Sequence, residues 1–301
     1  MVMHLGEAEI RAVLRWDRLI VAMEKALAEF SAGRVLQPVR SVITIEQEKR
    51  YFGIMPAVAG DAMGLKAVTF YPANAGSAVP THMAMVLLFR PDTGEPLAVM
   101  DGRLITEMRT AAVSAAVTNR LASPDSHVLA LLGSGVQAKA HLEALARVRE
   151  FDEVRVWSRT PEHAKRFAEE HGAKATDAES AVRGADVVVT ATSASQPILK
   201  GVWLKAGAHV NAVGAPRPAW RELDDDVMAN TILVDSRDAA AKESGDVILS
   251  NAKIYAEVGE IFAGAKASPV SETTVFKSVG LAIEDIAAAK LVLQRISAKP
   301  A

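Results

Sequence analysis

Cysteine is missing altogether from the 301 residues. Its absence excludes disulfides, thiolate nucleophiles and cysteine-ligated metals, and is compatible with a reducing compartment. An excess of charge of one sign is missing too: 34 Lys and Arg stand against 36 Asp and Glu, a formal net charge of -2. That balance, with no long basic run, speaks against nucleic acid as a partner. Near the N-terminus Arg11, Arg15, Asp17 and Arg18 interrupt the longest apolar stretch, so neither a signal peptide nor a membrane span is expected. The seven histidines show no HExxH or paired spacing, and no GxSxG occurs, so no metal site and no serine hydrolase is expected. Internal repeats and low-complexity segments are also lacking. The expectation is a soluble, cytoplasmic, metal-free protein.

What is present is apolar: 50% of residues are hydrophobic and 23% charged. That suffices for a core, and the length suggests two domains at about 150 residues each. Residues 1–33 read as helix, with Asp17 able to cap its second part, Ile20, Met23, Leu27 and Phe30 forming a stripe, and Gly33 as the stop. From Ser41 to Asp101 the texture is strand-like, in Val42 to Ile45, Leu65 to Phe70 and Met83 to Phe89, with a hairpin turn at Pro91 to Pro96. A helix over Thr106 to Leu121 leads to a linker at Ser123-Pro124-Asp125-Ser126. Beyond it, strands at Val128 to Leu132, Val154 to Trp157, Ala185 to Ala191 and His209 to Val213 alternate with helical patterns at Val136 to Val148 and Pro161 to His171. Such alternation predicts a doubly wound α/β fold with a parallel sheet. A last strand or loop from Val275 and a helix from Leu281 to Ile296 follow.

The strand Val128 to Leu132 runs directly into Gly133-Ser134-Gly135-Val136-Gln137-Ala138 and a helix. This is the dinucleotide fingerprint in its proper context. Gly133 permits the tight turn, Gly135 admits a pyrophosphate, and Ala138 lets helix and strand pack closely. The helix amides then face the phosphates. The second strand ends in Ser158-Arg159-Thr160 with no carboxylate. A guanidinium and two hydroxyls suit a 2′-phosphate, which predicts NADPH over NADH; the alternative is a solvated Arg159 and a Thr160 that caps the helix opening at Pro161.

Three cations occupy unusual settings: Arg40 before a strand, Lys66 inside the apolar strand Leu65 to Phe70, and Arg109 in the first turn of a helix read as capped by Thr106. Each is costly without an anion. Singly, each suggests a structural salt bridge; together they suggest a grip on a small carboxylate. His82 fits either a substrate contact or an ordinary strand end, and Asp224-Asp225-Asp226 looks like a helix start.

Several ordered segments resemble the ornithine cyclodeaminase/mu-crystallin family over nearly the whole chain. They are Gln37-Pro38-Val39-Arg40, Lys66 to Tyr71, Ala98 to Gly102, Arg109 to Ala115, Gly133 to Ala138, Asn211 to Gly214, Lys242 to Val247 and Thr274 to Ser278. The resemblance implies a homodimer with a substrate-binding and dimerisation domain in residues 1–122 plus 276–301, and a Rossmann domain in residues 123–275. It implies substrate binding, with catalysis, by Arg40, Lys66 and Arg109, beside His82 and Phe70. Cofactor contacts are implied for Thr110, Gly133, Gly135, Val136, Gln137, Ser158, Arg159, Thr160, Thr190, Thr192, Val213 and Ser278. Ser278, Val279 and Gly280 read equally well as a plain helix entry. The cyclodeaminases and alanine dehydrogenases of the family carry an Asp after Ala-Val-Gly, where this chain has Pro216. Proline neither takes a proton nor pairs with an ammonium, and the segment Arg217-Pro218 with Trp220 to Asp224 resembles the mu-crystallin branch. The implied activity is reduction of cyclic ketimine carboxylates by NADPH, with NADH as a possible substitute. The arginines and lysine would orient the carboxylate, and Lys66 or a water would supply a proton. NAD-dependent deamination of ornithine or alanine, and NADPH-dependent binding of a thyroid-hormone-like acid, are the alternatives.

Overall fold

The computed structural model describes residues 2–47, 49–214 and 217–298. The chain opens with β1 (Met3–Leu5), α1 (Glu7–Val13), α2 (Trp16–Ser31), β2 (Ser41–Glu46), β3 (Arg50–Ala59), β4 (Ala62–Phe70), β5 (His82–Phe89) and β6 (Pro96–Asp101). Helix α3 (Gly102–Leu121) leads to β7 (Val128–Leu132), α4 (Val136–Leu145), β8 (Glu153–Trp157), α5 (Pro161–His171), β9 (Lys174–Ala175), α6 (Ala178–Val182), β10 (Val187–Thr190) and β11 (His209–Ala212). Then come α7 (Asp225–Met228), β12 (Thr231–Val234), α8 (Arg237–Glu243), α9 (Gly245–Ser250), β13 (Ile254–Glu257), α10 (Val258–Phe262), β14 (Thr274–Lys277) and α11 (Ala282–Ser297). Two compact units result: one takes the described residues up to Arg109 and those from Leu281 onward, the other Thr110–Gly280. The division falls within α3. No helix of the described residues is long and apolar enough to cross a membrane.

The first unit is a six-stranded sheet in the order β1-β6-β5-β4-β3-β2, antiparallel except for the β1–β6 pair. Alternation decides its two faces. Met55, Lys66, Val86 and Met100 form one cross-strand row on the buried face. Helices α2 and α11 supply that unit's apolar helical faces, with Leu19, Met23 and Leu27 on one and Ile286, Ala289 and Val292 on the other, all fully buried. At Gly64 the contact is so close that a Cβ would meet Ile286 Cδ1 at 2.7 Å. The opposite face alternates out of phase: Ile43 lies opposite Phe52 and Thr69 opposite Met83, with Ile54, Ala67 and Met85 in the next row.

The second unit is an eight-stranded, all-parallel sheet in the order β13-β12-β14-β11-β10-β7-β8-β9. Strands β7 and β10 are nearly continuous apolar runs, as burial on both faces requires, while β11 and β14 carry the buried polar residues His209, Asn211, Thr274 and Lys277. From β7 the chain steps out through β8 to β9, then resumes at β10 on the other side of β7. That reversal leaves a crevice at the carboxyl ends of β7 and β10, the place where such folds bind ligands.

The doubly wound α/β expectation therefore holds, and several local readings need correction. Residues 1–33 start with strand β1, and α2 begins after Arg15 with no side-chain cap from Asp17. Strand β3 is an addition; Gly53 and Pro56 disguise it, yet pairing with β2 reaches only Ile54, so the missing N–H of Pro56 falls beyond that ladder. Helix α3 starts at Gly102, with the Asp101 carboxylate accepting from Arg103 N at 2.9 Å. Thr106 is thus no cap, and Arg109 lies well inside the helix. The Ser123 to Ser126 segment is no loose linker: Ser123 O accepts from Ser126 Oγ and from Arg149 Nε. Asp224 does cap α7, accepting from Val227 N at 2.9 Å.

Candidate functional site

In the first unit, Lys66 and Arg109 are paired from within the protein, and both carboxylates come from the first turn of α11. Asp285 Oδ2 is 2.7 Å from Lys66 Nζ, and Asp285 Oδ1 accepts from Arg109 Nε at 3.0 Å. Glu284 Oε2 accepts from Arg109 Nη1 at 2.5 Å. Lys66 Nζ also donates to Thr106 Oγ1 at 3.5 Å. For Lys66 and Arg109 the structural salt bridge that each suggests singly is therefore present. Burial without partners would be prohibitive, and α11 provides them across the sheet. Its first turn is held by Gln37, whose Oε1 accepts from Ile283 N at 2.8 Å. Gln37 opens the segment carrying half-buried Arg40, whose charge is felt at Lys66.

Electrostatics bind these residues into one group. Burial pulls the Lys66 pKa down to about 8 against the attraction of Asp285, with Arg109 and Arg40 adding repulsion. Burial would raise the Asp285 carboxyl, but Arg109 and Lys66 outweigh it and hold it below the ordinary value. The same two carboxylates raise Arg109 despite its burial. His82, lowered to about 4 by burial and by Lys66 and Arg109, is neutral near pH 7. It lies opposite Phe70 in the β4–β5 ladder, on the same sheet face as Lys66, and Phe70 stacks on Tyr51 with centroids 6.5 Å apart. The structure thus gathers Arg40, Lys66, Phe70, His82 and Arg109. It adds Thr106, Glu284 and Asp285, which sequence reasoning missed; an acidic pair in a helix's first turn looks like ordinary dipole pairing.

In the second unit, the loop after β7 has the shape that a pyrophosphate needs. Gly133 adopts φ +124°, and a Cβ there would meet Ala191 O at 2.5 Å. Around Gly135, the N-cap of α4, nothing lies within 4 Å of a built Cβ, and no side chain caps the helix. Val136 is exposed, Gln137 half-buried, and Ala138 buried against the strand. An open approach to uncapped helix amides fits a dinucleotide phosphate. Beyond β8, Ser158 is half-buried while Arg159 and Thr160 are exposed. Thr160 is the N-cap of α5, but its hydroxyl makes no capping bond.

Other expected cofactor residues face inward. Thr190 is wholly buried and donates to Glu222 Oε2 at 2.8 Å. Thr192 donates through both N and Oγ1 to Glu222 Oε1, at 2.7 and 2.6 Å. Ser278 donates to Asp235 Oδ2 at 3.0 Å, and the same oxygen accepts from Val279 N and Gly280 N. Val213 N donates to Thr190 O at 2.9 Å, and Thr110 is half-buried in α3. The hydroxyls of Thr190, Thr192 and Ser278 are thus committed to carboxylates of the protein. Glu222 and Asp235 are the residues missed, since nothing local marks a carboxylate that serves distant loops. Pro216 lies outside the described residues.

The family model described as "Ornithine cyclodeaminase/mu-crystallin family" matches residues 2–300. The chain is 51% identical over 298 residues to the ketimine reductase mu-crystallin of Mus musculus, covering 96% of this chain and 95% of that one. The solved Delta(1)-pyrroline-2-carboxylate reductase of Thermococcus litoralis, in complex with NADH and L-proline, superposes with a TM-score of 0.93 at 35% identity and covers 98% of each chain. An archaeal alanine dehydrogenase dimer with bound NAD gives 0.92 at 34% identity, covering 98% of this chain and 96% of that one.

Proposed function

The chain belongs to the ornithine cyclodeaminase/mu-crystallin family, and from that premise we propose that it reduces the C=N bond of cyclic ketimine carboxylates. Piperideine-2-carboxylate and pyrroline-2-carboxylate are the model substrates, and pipecolate and proline the products. The observation that carries the reading is the cationic group in the first unit, where buried Lys66 and Arg109 meet Asp285 and Glu284 and half-buried Arg40 acts on Lys66. The substrate carboxylate docks on this group. The guanidinium groups orient that carboxylate through directional hydrogen bonds. His82 is neutral and adds no further charge. An imine arriving protonated needs no acid; a neutral one finds in Lys66 an ammonium of pKa about 8.

A reduced nicotinamide nucleotide, when bound, supplies the hydride. Gly133, Gly135, Val136 and Gln137 would hold its pyrophosphate. Ser158, exposed Arg159 and Thr160, with no carboxylate among them, favour the 2′-phosphate of NADPH over the bare ribose of NADH. Two copies of the chain pair through the outer face of the first unit's sheet, where Ile43 is 54% and Met85 52% exposed.

The test is oxidation of NADPH, then NADH, with a panel of cyclic ketimines. Turnover of ornithine or alanine with NAD, and none of ketimines, would replace the reading with deamination. Tight binding of an aromatic acid without turnover would replace it with a binding protein.

A further inference from the structure

Behind the carboxyl edge of the second unit's sheet lies a closed ring of buried charge that the proposed chemistry does not use. Glu222, Asp246 and Lys277 are each 0% exposed. Glu222 accepts four hydrogen bonds, from Thr190 Oγ1, Thr192 N, Thr192 Oγ1 and Gly214 N, the last at 3.0 Å. Lys277 Nζ donates to Gly214 O at 2.6 Å and pairs with Asp246 Oδ2 at 2.9 Å. Asp246 Oδ1 closes the ring by accepting from Glu222 N at 2.8 Å and Leu223 N at 3.0 Å. Both backbone polar groups of Gly214 are therefore held, one by Glu222 and one by Lys277. A Cβ on Gly214 would collide with Thr192 O and with Glu222 Oε1, so the loops after β10 and β11 are locked against each other.

These loops occupy one side of the crevice at the strand-order reversal. The adenosine side is marked by Ser158 to Thr160 after β8, so the loops after β10 and β11 flank the other half of the cofactor. We propose that Glu222 is a positioning residue for the nicotinamide half: it fixes Thr192 and Gly214 before the nucleotide arrives, and so lowers the ordering that binding requires. The inference rests on the nucleotide reading above. A core needs no such ring, since apolar side chains of equal volume hold a core at least as well. Three of the four contacts come from the loop residues Thr192 and Gly214, the fourth from Thr190 at the end of β10, and none from a helix. Burial raises the Glu222 carboxyl, while Lys277 and the two threonine hydroxyls draw it back.

The experiment titrates the intact chain and its Glu222→Gln variant with NADPH and NADH by fluorescence. The matching ADP-ribose form, which lacks nicotinamide, is titrated by calorimetry, and each protein is melted as a folding control. Glu222→Gln turns one acceptor into a donor facing donors. It is expected to weaken the complete cofactor roughly tenfold and the ADP-ribose form less than about twofold. If Glu222→Gln does not fold, Thr190→Val, which deletes one donor with little change of shape, is expected to show a smaller loss of the same selectivity. Equal losses for both ligands, or no loss for either, would overturn the positioning role alone. Failure of the wild-type chain to bind NADPH or NADH would overturn the cofactor reading and this inference with it.

Discussion

The carboxylate of Asp285 stands 2.7 Å from the ammonium of Lys66, both out of contact with water. Burial pulls the lysine's proton affinity down, and this carboxylate is the neighbour that holds it up. With a Lys66 pKa of about 8, the cation proposed to grip a substrate carboxylate is present below that pH and lost above it. We expect kcat/KM for a cyclic ketimine to fall as pH rises through about 8. In Asp285→Asn the remaining neighbours, Arg109 and Arg40, repel the ammonium, so the fall moves to lower pH. An unmoved profile in that variant would show that Lys66 does not govern it.

Removing the cations themselves separates substrate from cofactor. Lys66→Met and Arg109→Ala are each expected to lower kcat/KM by about a hundredfold. Dissociation constants for NADPH, whose proposed cradle lies in the other unit, should stay within about twofold. Equal kinetics in Arg109→Ala would remove that residue from the site.

Nucleotide choice is expected to rest on Arg159. Arg159→Ser should weaken NADPH roughly tenfold and leave NADH nearly unchanged. Parallel losses for both nucleotides, measured by fluorescence titration, would assign Arg159 to the surface.

Stability should depend on three histidines whose pKa burial lowers from 6.5 to about 4: His82, His141 and His209. His141 Nδ1 is 2.7 Å from Gln137 O and must donate to it, so Nε2 accepts from Ser114 Oγ at 2.9 Å. Protonation turns that acceptor into a donor. In the unfolded chain these groups bind protons near pH 6.5, in the folded chain only near 4. The stabilisation is thus whole above 6.5 and lost as pH falls through 4. The urea midpoint should drop across that window, and drop less in a His141→Gln His209→Gln double variant. A flat midpoint would contradict the burial of the neutral rings.

Self-association is the last test. Ile43→Lys with Met85→Lys places two charges on the outer sheet face and should convert a dimer to a monomer in sedimentation. A wild-type chain that sediments as a monomer would reject this interface.

Sequence alone reveals periodic and local features well. The β7–Gly133–α4 run needs only adjacent residues, and the alternation of strands and helices after Val128 predicts the parallel sheet. Lys66 and Arg109 stand out because charge inside apolar patterns is conspicuous. Their partners stay hidden: Arg109 is separated by 175 and 176 residues from Glu284 and Asp285, which look like any acidic helix start. Thr190, Thr192 and Ser278 are rightly noticed as polar residues at strand ends, yet their hydroxyls turn toward Glu222 and Asp235. Polarity is visible in a string of letters, and direction is not.

The return of α11 to the opening sheet has a consequence for how the protein is made. The ribosome synthesises Lys66 and Arg109 long before it adds the two acids that neutralise them, and α11, the helix that packs on β3, β4 and β5, emerges only with that same late segment. The opening unit thus waits, unfinished, for most of translation. A message cut short before codon 284 yields a chain with two stranded cations and the middle of its greasy sheet uncovered, a natural client for chaperones and proteases.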